Sequence, residues 1–176
     1  MSEKNVKGIC IYGDAILRKR AEAVEEIDDK ILSLIEKMRA IISLAKGVGL
    51  AAPQVGEGIR LFIVEERFLT GVQGIKVFIN PEILEKDGSV VEEEGCLSLP
   101  DIYGNVERAK RVLVSAINEE GKSFTIEVND LYARAIQHEM DHLNGVMIID
   151  HFGHLKRSLI NKKLKRLAQG ARDEGK

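Results

Sequence analysis

The stretch IQHEMDHLNG, residues 136 to 145, carries His138 and His142 four positions apart, with Glu139 directly after the first. On an α-helix, side chains at i and i+4 stand one above the other. The spacing therefore aims two imidazoles at one point and sets a carboxylate one step around the same face. That is the arrangement of a metal site with an adjacent base. It constrains the whole chain, because two imidazoles do not complete the ligand set of a catalytic ion. Some segment distant in sequence must fold against this helix and offer a third donor. The plainer alternative is a histidine pair that is solvated or caps the core.

The residues narrow the search for that donor. Gly145 fits the HExxHxxGxxH pattern of one large group of metalloproteases, but Ile148 stands where that pattern needs its third histidine. Another group takes a glutamate from a following helix, and the one glutamate after His142 is Glu174, in a charged terminus. Asp150, His151 and His154 reach back only if the chain reverses sharply after Gly145; they read more simply as surface polar residues capping the last helix. Upstream, Cys96 sits in EEGCLSLP, where Gly95 permits a turn and Pro100 ends the segment. A thiolate beside a strand end is a good ligand, although a single cysteine is more often an inert small hydrophobe. Cys10, flanked by Ile9 and Ile11, reads as such filler.

Around this helix the hydrophobic pattern lays out an α+β chain. Ile27, Ile31, Leu34, Ile35, Met38, Ile41, Ile42 and Ala45 recur at helical steps and predict an amphipathic helix closing at Gly47. Residues 59–65, 75–81 and 89–95 are short β-branched runs bounded by Gly, Pro or Asn, and read as strands. Residues 111–128 hold two alternating runs about NEEGK, a hairpin. Asn129 or Asp130 then caps a second helix through His142, ended by Asn144 and Gly145. A third helix, about 155–168, is expected to turn Leu155, Leu159, Leu164 and Leu167 inward and its lysines outward. Helix, antiparallel strands, helix, helix is an α+β order.

The segment GVGLAAPQVG (47–56) matches a GxGxxA dinucleotide pattern through Gly47, Gly49 and Ala52. It follows a helix rather than a strand, however, and Pro53 disfavours helical geometry at Ala52, so that reading fails. Its glycines instead suit close approach of backbone to a ligand, with Gln54 as an amide donor.

Length and composition fit one domain: 176 residues, 44% hydrophobic, with no repeat or low-complexity linker. A net charge of −2 gives no general affinity for nucleic acid, and no apolar run approaches the roughly 18 residues of a membrane span. The start, MSEKNVKGIC, resembles neither a signal nor a transit peptide, so a cytoplasmic location is expected. Two cysteines are too few for a disulfide framework there. Residues 153–176 carry eight Lys/Arg against two acids, while the rest carries eighteen against twenty-six, a basic island on an acidic body.

Three segments together resemble the motifs of the peptide deformylases, which remove the N-formyl group from new polypeptides: GVGLAAPQ (47–54), EGCLS (94–98) and QHEMDHLNG (137–145), in that order. The resemblance runs from YGDAILR (12–18) to the basic terminal helix and is thinnest before Ile9, across 66–75 and after Ala168. It implies one catalytic domain over 1–176, with small antiparallel sheets packed around the central HExxH helix and a helix towards either terminus. It makes Cys96, His138 and His142 the ligands of one divalent ion, Fe²⁺ physiologically, with Zn²⁺, Ni²⁺ or Co²⁺ as replacements. Donor types alone point to zinc first. Glu139 becomes the general base and acid, taking a proton from the attacking water and passing it to the departing amine. The Gln54 side chain and the Leu97 backbone N–H become donors to the oxyanion. This chemistry suits the residues: a formyl group is an amide, which water attacks very slowly at neutral pH without a stronger nucleophile and a charge sink. The resemblance also implies a bacterial setting.

Substrate selection follows from what surrounds the ion. Arg134 or Ala135 and then Leu131 lie one and two turns before His138, and with Val48 are expected to line an unbranched apolar pocket for methionine. A tight wall near Gly49 would select the small formyl group. Tyr103 and the backbone near Gly47 and Glu94 are expected to hold the peptide as an added strand, leaving side chains beyond methionine weak determinants. In the family an arginine often stands after the cysteine motif, where this chain has Tyr103. N-formylmethionyl peptides are the expected partners, with no membrane and no sequence-specific nucleic acid. The basic helix, with Lys156, Arg157, Lys162, Lys163, Lys165 and Arg166, is either a solvated face or a ribosome-docking surface acting through phosphates. The HExxH string alone also fits a metalloendopeptidase or a non-catalytic zinc-stabilised binding module.

Overall fold

The structure, a computed structural model, describes residues 7–174 and, past Ala171, the backbone alone. The opening stretch MSEKNV, on which the leader reading partly rests, and the Glu174 side chain lie outside the described residues. Four helices and seven strands follow in the order α1 (Asp29–Ala45), β1 (Gly49–Ala51), β2 (Leu61–Glu65), α2 (Arg67–Thr70), β3 (Ile75–Asp87), β4 (Val90–Cys96), β5 (Leu99–Arg108), β6 (Arg111–Ile117), β7 (Ser123–Asn129), α3 (Asp130–Leu143) and α4 (His154–Glu174). Strands β1-β2-β3-β6-β7 form one antiparallel sheet, and β4 and β5 pair as a separate hairpin. The α+β expectation holds.

The larger sheet is the middle layer. Successive side chains of a strand face opposite ways, so Phe62 and Val64 of β2 join Phe78, Val112 and Val114 against Ala133, Ile136 and Leu143 of α3. Leu61 and Ile63 point to the other face, where Val77 and Ile79 meet Ile35, Met38 and Ile42 of α1. All five β2 residues are buried, as a strand covered on both faces requires. A third cluster sets Leu99, Ile102 and Val106 of β5 against Ile148, Phe152 and Leu164. This cluster seats the β4–β5 hairpin beside the chain that leaves α3.

Several expectations are corrected. Helix α1 starts where Asp28 accepts from the N–H groups of Lys30 and Ile31, both at 3.0 Å, and its left-handed closing residue is Lys46 (φ 53°) rather than Gly47. β3 does not stop at Pro81. The register shifts between Ile79 and Glu82, where a bulge accommodates the proline, and the strand continues to Asp87. Asn129 takes the N-cap position of α3 without a side-chain cap, and Asp130 is left-handed (φ 50°). In α4, Leu155 and Leu159 are exposed at 75% and 74%, while Ile160, Leu164 and Leu167 face the core. Gly95 lies within β4 and does not turn the chain; a Cβ there would fall 2.6 Å from Tyr103 Cε1.

Candidate metal centre

Cys96 is the last residue of β4, directly before the two-residue turn Leu97–Ser98 that leads into β5. His138 and His142 share one face of α3, their rings 5.1 Å apart and inclined at 67°. The donor atoms of these three residues all lie within 4.8 Å of one another, with Cys96 Sγ 3.3 Å from His142 Nε2. The hairpin thus brings beside the two imidazoles a third atom that could act as a metal donor.

A chain of charges fixes the imidazole of His138. Its Nδ1 lies 3.1 Å from Glu94 Oε2, which leaves the other ring nitrogen for the Cys96 side. Arg108 in turn grips Glu94 with Nε at 3.1 Å and Nη2 at 3.0 Å, and donates from Nη1 to Asp141 Oδ2 at 2.6 Å. Burial works against the charge on Glu94, but the hydrogen bonds to His138 and Arg108 outweigh it and hold its pKa at about 2. Burial likewise opposes charge on His138, yet its bonds to Cys96 and Glu94 keep its pKa well above the ordinary imidazole value. His142 moves the other way, lowered by burial and by the neighbouring charge of His138.

The residues fit a divalent ion. A thiolate and two imidazoles form a suitable donor set for zinc-like ions, and their separations suit ligands at about 2.0–2.3 Å from one centre. His142 Nδ1 and Glu139 Oε2 are buried and have no hydrogen-bond partner among the described residues. Native proteins rarely leave such atoms orphaned without a functional reason or an unseen ion or water.

Glu139 is 3% exposed, and burial, aided by Glu94 and Asp141 against His138 and Arg108, pushes its pKa up to about 7. The backbone of Gly49 in β1 lies against this carboxyl: a Cβ at that position would come within 2.3 Å of Glu139 Oε1. Any side chain at this position would displace the Glu139 carboxyl. Gln54 is buried in the 3₁₀ turn Ala52–Val55, with its amide orientation set on both sides. Oε1 accepts the Ala51 N–H at 2.9 Å, while Nε2 donates to Ser98 Oγ at 3.2 Å and approaches Cys96 Sγ at 3.7 Å.

A cavity of about 330 Å³ opens beside the three donors. On one side it meets Gly47, Val48, Gly49 and Gln54; on the second, Glu94, Cys96, Leu97 and Tyr103; on the α3 side, Leu131, Arg134, Ala135, His138 and Glu139. Every site residue expected from sequence is in this wall except His142, which is 1% exposed behind it. The sequence reading missed Lys46 and Glu93 at the cavity and the bracing pair Arg108 and Asp141. Asp150, His151 and His154 stay away from the donor group: Asp150 pairs with Arg18, His151 Nε2 lies 2.7 Å from Asp141 Oδ2, and His154 begins α4. Cys10 donates its backbone N–H to Gln54 O at 2.7 Å, but burial and Asp14 push its thiol up to about 11.

The sequence model of the polypeptide deformylase family matches residues 6–158. The chain belongs to the polypeptide deformylase family. It is 51% identical over 145 residues to the peptide deformylase of Clostridium botulinum, covering 82% of this chain and 95% of that one. With the peptide deformylase of Thermodesulfovibrio yellowstonii it shares 44% identity over 154 residues, covering 88% and 93%. The crystal structure of a peptide deformylase from Legionella pneumophila superposes with a TM-score of 0.86 at 38% identity, over 93% of this chain and 96% of that one. Peptide deformylases are metal-dependent hydrolases that remove the N-formyl group from nascent polypeptides, and this member has a Cys/His/His group that could hold a metal ion. The family match leaves the endopeptidase and binding-module readings without support. Among the described residues no helix is long and apolar enough to cross a membrane.

Proposed function

We propose that this deformylase releases formate from the N-terminal formyl-methionine of new polypeptides, with Cys96, His138 and His142 holding the ion and Glu139 moving the proton. The observation that carries this reading is the Cys/His/His group sharing one site with a buried carboxyl whose Oε2 has no partner among the described residues. We take the ion to be Fe²⁺, replaceable by Zn²⁺, Ni²⁺ or Co²⁺; when bound, it lowers the pKa of a water and polarises the formyl carbonyl.

The protein's own groups do the rest. Glu139 takes a proton from the attacking water and returns it to the amide nitrogen as that bond breaks, and a carboxyl poised near neutrality suits both transfers. Gln54 Nε2 donates to the oxyanion with the N–H now directed at Sγ, the longer of its two contacts. The Leu97 N–H, at the turn after Cys96, supplies the second donor. Leu131, Ala135, Val48 and the Arg134 stem receive the methionine side chain, and the wall at Gly49 admits only a small acyl group. Tyr103 and the backbone at Gly47 and Glu94 align the peptide as an added strand. All of 1–176 is one catalytic domain in this reading, working in a bacterial cytoplasm. A formyl-methionyl peptide assayed without oxygen beside an internally cleavable peptide is expected to yield formate and a free N-terminal methionine. Cleavage of the internal peptide, or full metal content with neither product, overturns the reading.

The basic helix α4 fits docking to ribosomal RNA phosphates. Lys163 is engaged with the Asp101 carbonyl at 2.6 Å, so Lys162, Lys165 and Arg166 are the charges to reverse. Deleting the helix is a poor test, because Leu164 belongs to the core and Ala168 packs against Gly13. Ribosome binding is expected to weaken steeply with salt and with the triple reversal to glutamate. Binding indifferent to both refutes the docking.

A further inference from the structure

Arg134 lines the cavity from α3, one turn before His138, but its guanidinium is committed to β4. Nη1 donates to Glu92 Oε2 at 2.8 Å and Nη2 to the Glu93 carbonyl at 3.0 Å, while Nε lies 3.8 Å from Glu94 Oε1. The Arg134 side chain is 13% exposed and that of Glu92 is 56% exposed. Glu92 does not touch the cavity, whereas Arg134 does. Outward from the cavity the order is therefore Arg134, then Glu92, then solvent. The ion pair ties together two elements that line the cavity, α3 and β4, and Leu131 and Ala135 of α3 add apolar surface to the same lining.

We infer that the Glu92–Arg134 pair is the end wall of the methionine pocket and sets the length of side chain that this enzyme accepts next to the formyl group. This rests on the deformylase reading and adds to it a determinant of specificity. The methylenes of Arg134 give methionine apolar contact, while its charged end stays with its partners. A longer unbranched side chain must push the guanidinium off both Glu92 and the Glu93 carbonyl. Glu92 is largely in solvent, so the ion pair alone is weak; it fixes the guanidinium only together with the bond to the Glu93 carbonyl, and loss of either partner loosens it. If Arg134 merely ties α3 to β4, its loss lowers stability without changing which side chains are accepted.

The test compares formyl peptides beginning with methionine, with norleucine of equal length, and with 2-aminooctanoate, which is two atoms longer. Arg134→Met keeps an apolar stem without the guanidinium, and Glu92→Ala frees the guanidinium while leaving the cavity lining untouched. In both variants the preference for methionine over 2-aminooctanoate is expected to fall about tenfold or more, through KM, since methylene discrimination in such pockets is of that size. The ratio of methionine to norleucine is expected to stay put, and added salt should shift the wild-type preference in the same direction. A methionine to 2-aminooctanoate ratio within about twofold of wild type in both variants overturns the inference. So does a parallel loss on all three substrates with a lowered unfolding midpoint. A wild-type enzyme that releases no formate from the methionine peptide overturns instead the deformylase reading, and the inference with it.

Discussion

Glu139→Ala is expected to keep its metal and to lose about 10²–10⁴-fold in formate release, the usual contribution of a positioned acid–base group. The carboxyl is not among the three converging donors; its Oε1 lies against Gly49 and its Oε2 has no partner among the described residues. Removing it therefore leaves Cys96, His138 and His142 as they are. No neighbouring acid can take over. Glu94 is locked by Arg108 and His138 and held at about 2, which makes it a very weak base, and Asp141 Oδ2 already accepts from Arg108 and lies 2.7 Å from His151. Glu139→Gln separates proton transfer from polarity, since it keeps the size and the dipole but accepts no proton at neutral pH. Its loss should match that of alanine, and KM should change little in either. Metal analysis and formate release on the same sample check the prediction. A rate within about tenfold of wild type, or loss of the ion along with the carboxyl, removes Glu139 from the role.

The helix that carries Glu139 is legible in sequence because one local pattern fixes both its structure and its chemistry: a 3.6-residue period places His138 and His142 on a common face wherever the helix sits. The partner of that face is not legible in the same way. Strand β5 contains Gly104 and Asn105, which locally disfavour a strand, and an irregularity at residues 100–102 where Asp101 is left-handed (φ 55°), yet it pairs with β4 on both sides of that irregularity. Its extended form comes from burial of Leu99, Ile102 and Val106 against Phe152 and Leu164, contacts that local propensity does not contain. With β5 unseen, Arg108 is only a charge near a turn, and its buried grip on Glu94 and Asp141 has no signature in spacing. The inward face of α4 is legible in its periodicity. At about 100° per residue, Leu155 and Leu159 point roughly 80–180° away from Leu164 and Leu167, and Ile160 lies between the latter two. One helix cannot turn both stripes inward, and the structure buries the stripe that includes Ile160. Cys96 itself was only one candidate among several from composition and spacing; the three family motifs read together singled it out.

Cys96→Ser is expected to weaken metal binding by more than the roughly 10–100-fold that loss of an outer partner costs, whereas Cys10→Ser should leave it unchanged. Sγ of Cys96 sits 3.3 Å from His142 Nε2 within the donor group, and a serine hydroxyl there is a harder, neutral donor in place of a thiolate. Cys10 differs in both position and charge. Its backbone N–H donates to the Gln54 carbonyl, and burial together with Asp14 pushes its thiol up to about 11, so at neutral pH it is protonated. Thiol alkylation offers a second check: Cys96 should be protected with the ion bound and reactive once a chelator removes it, and Cys10 sluggish in both states. Chelator competition on the two serine variants measures the affinities directly. Equal affinities would return His151 and His154 to contention as ligands. His151 could then reach the ion only by giving up its 2.7 Å contact with Asp141, which also holds Arg108, so the brace on Glu94 and His138 would loosen as well.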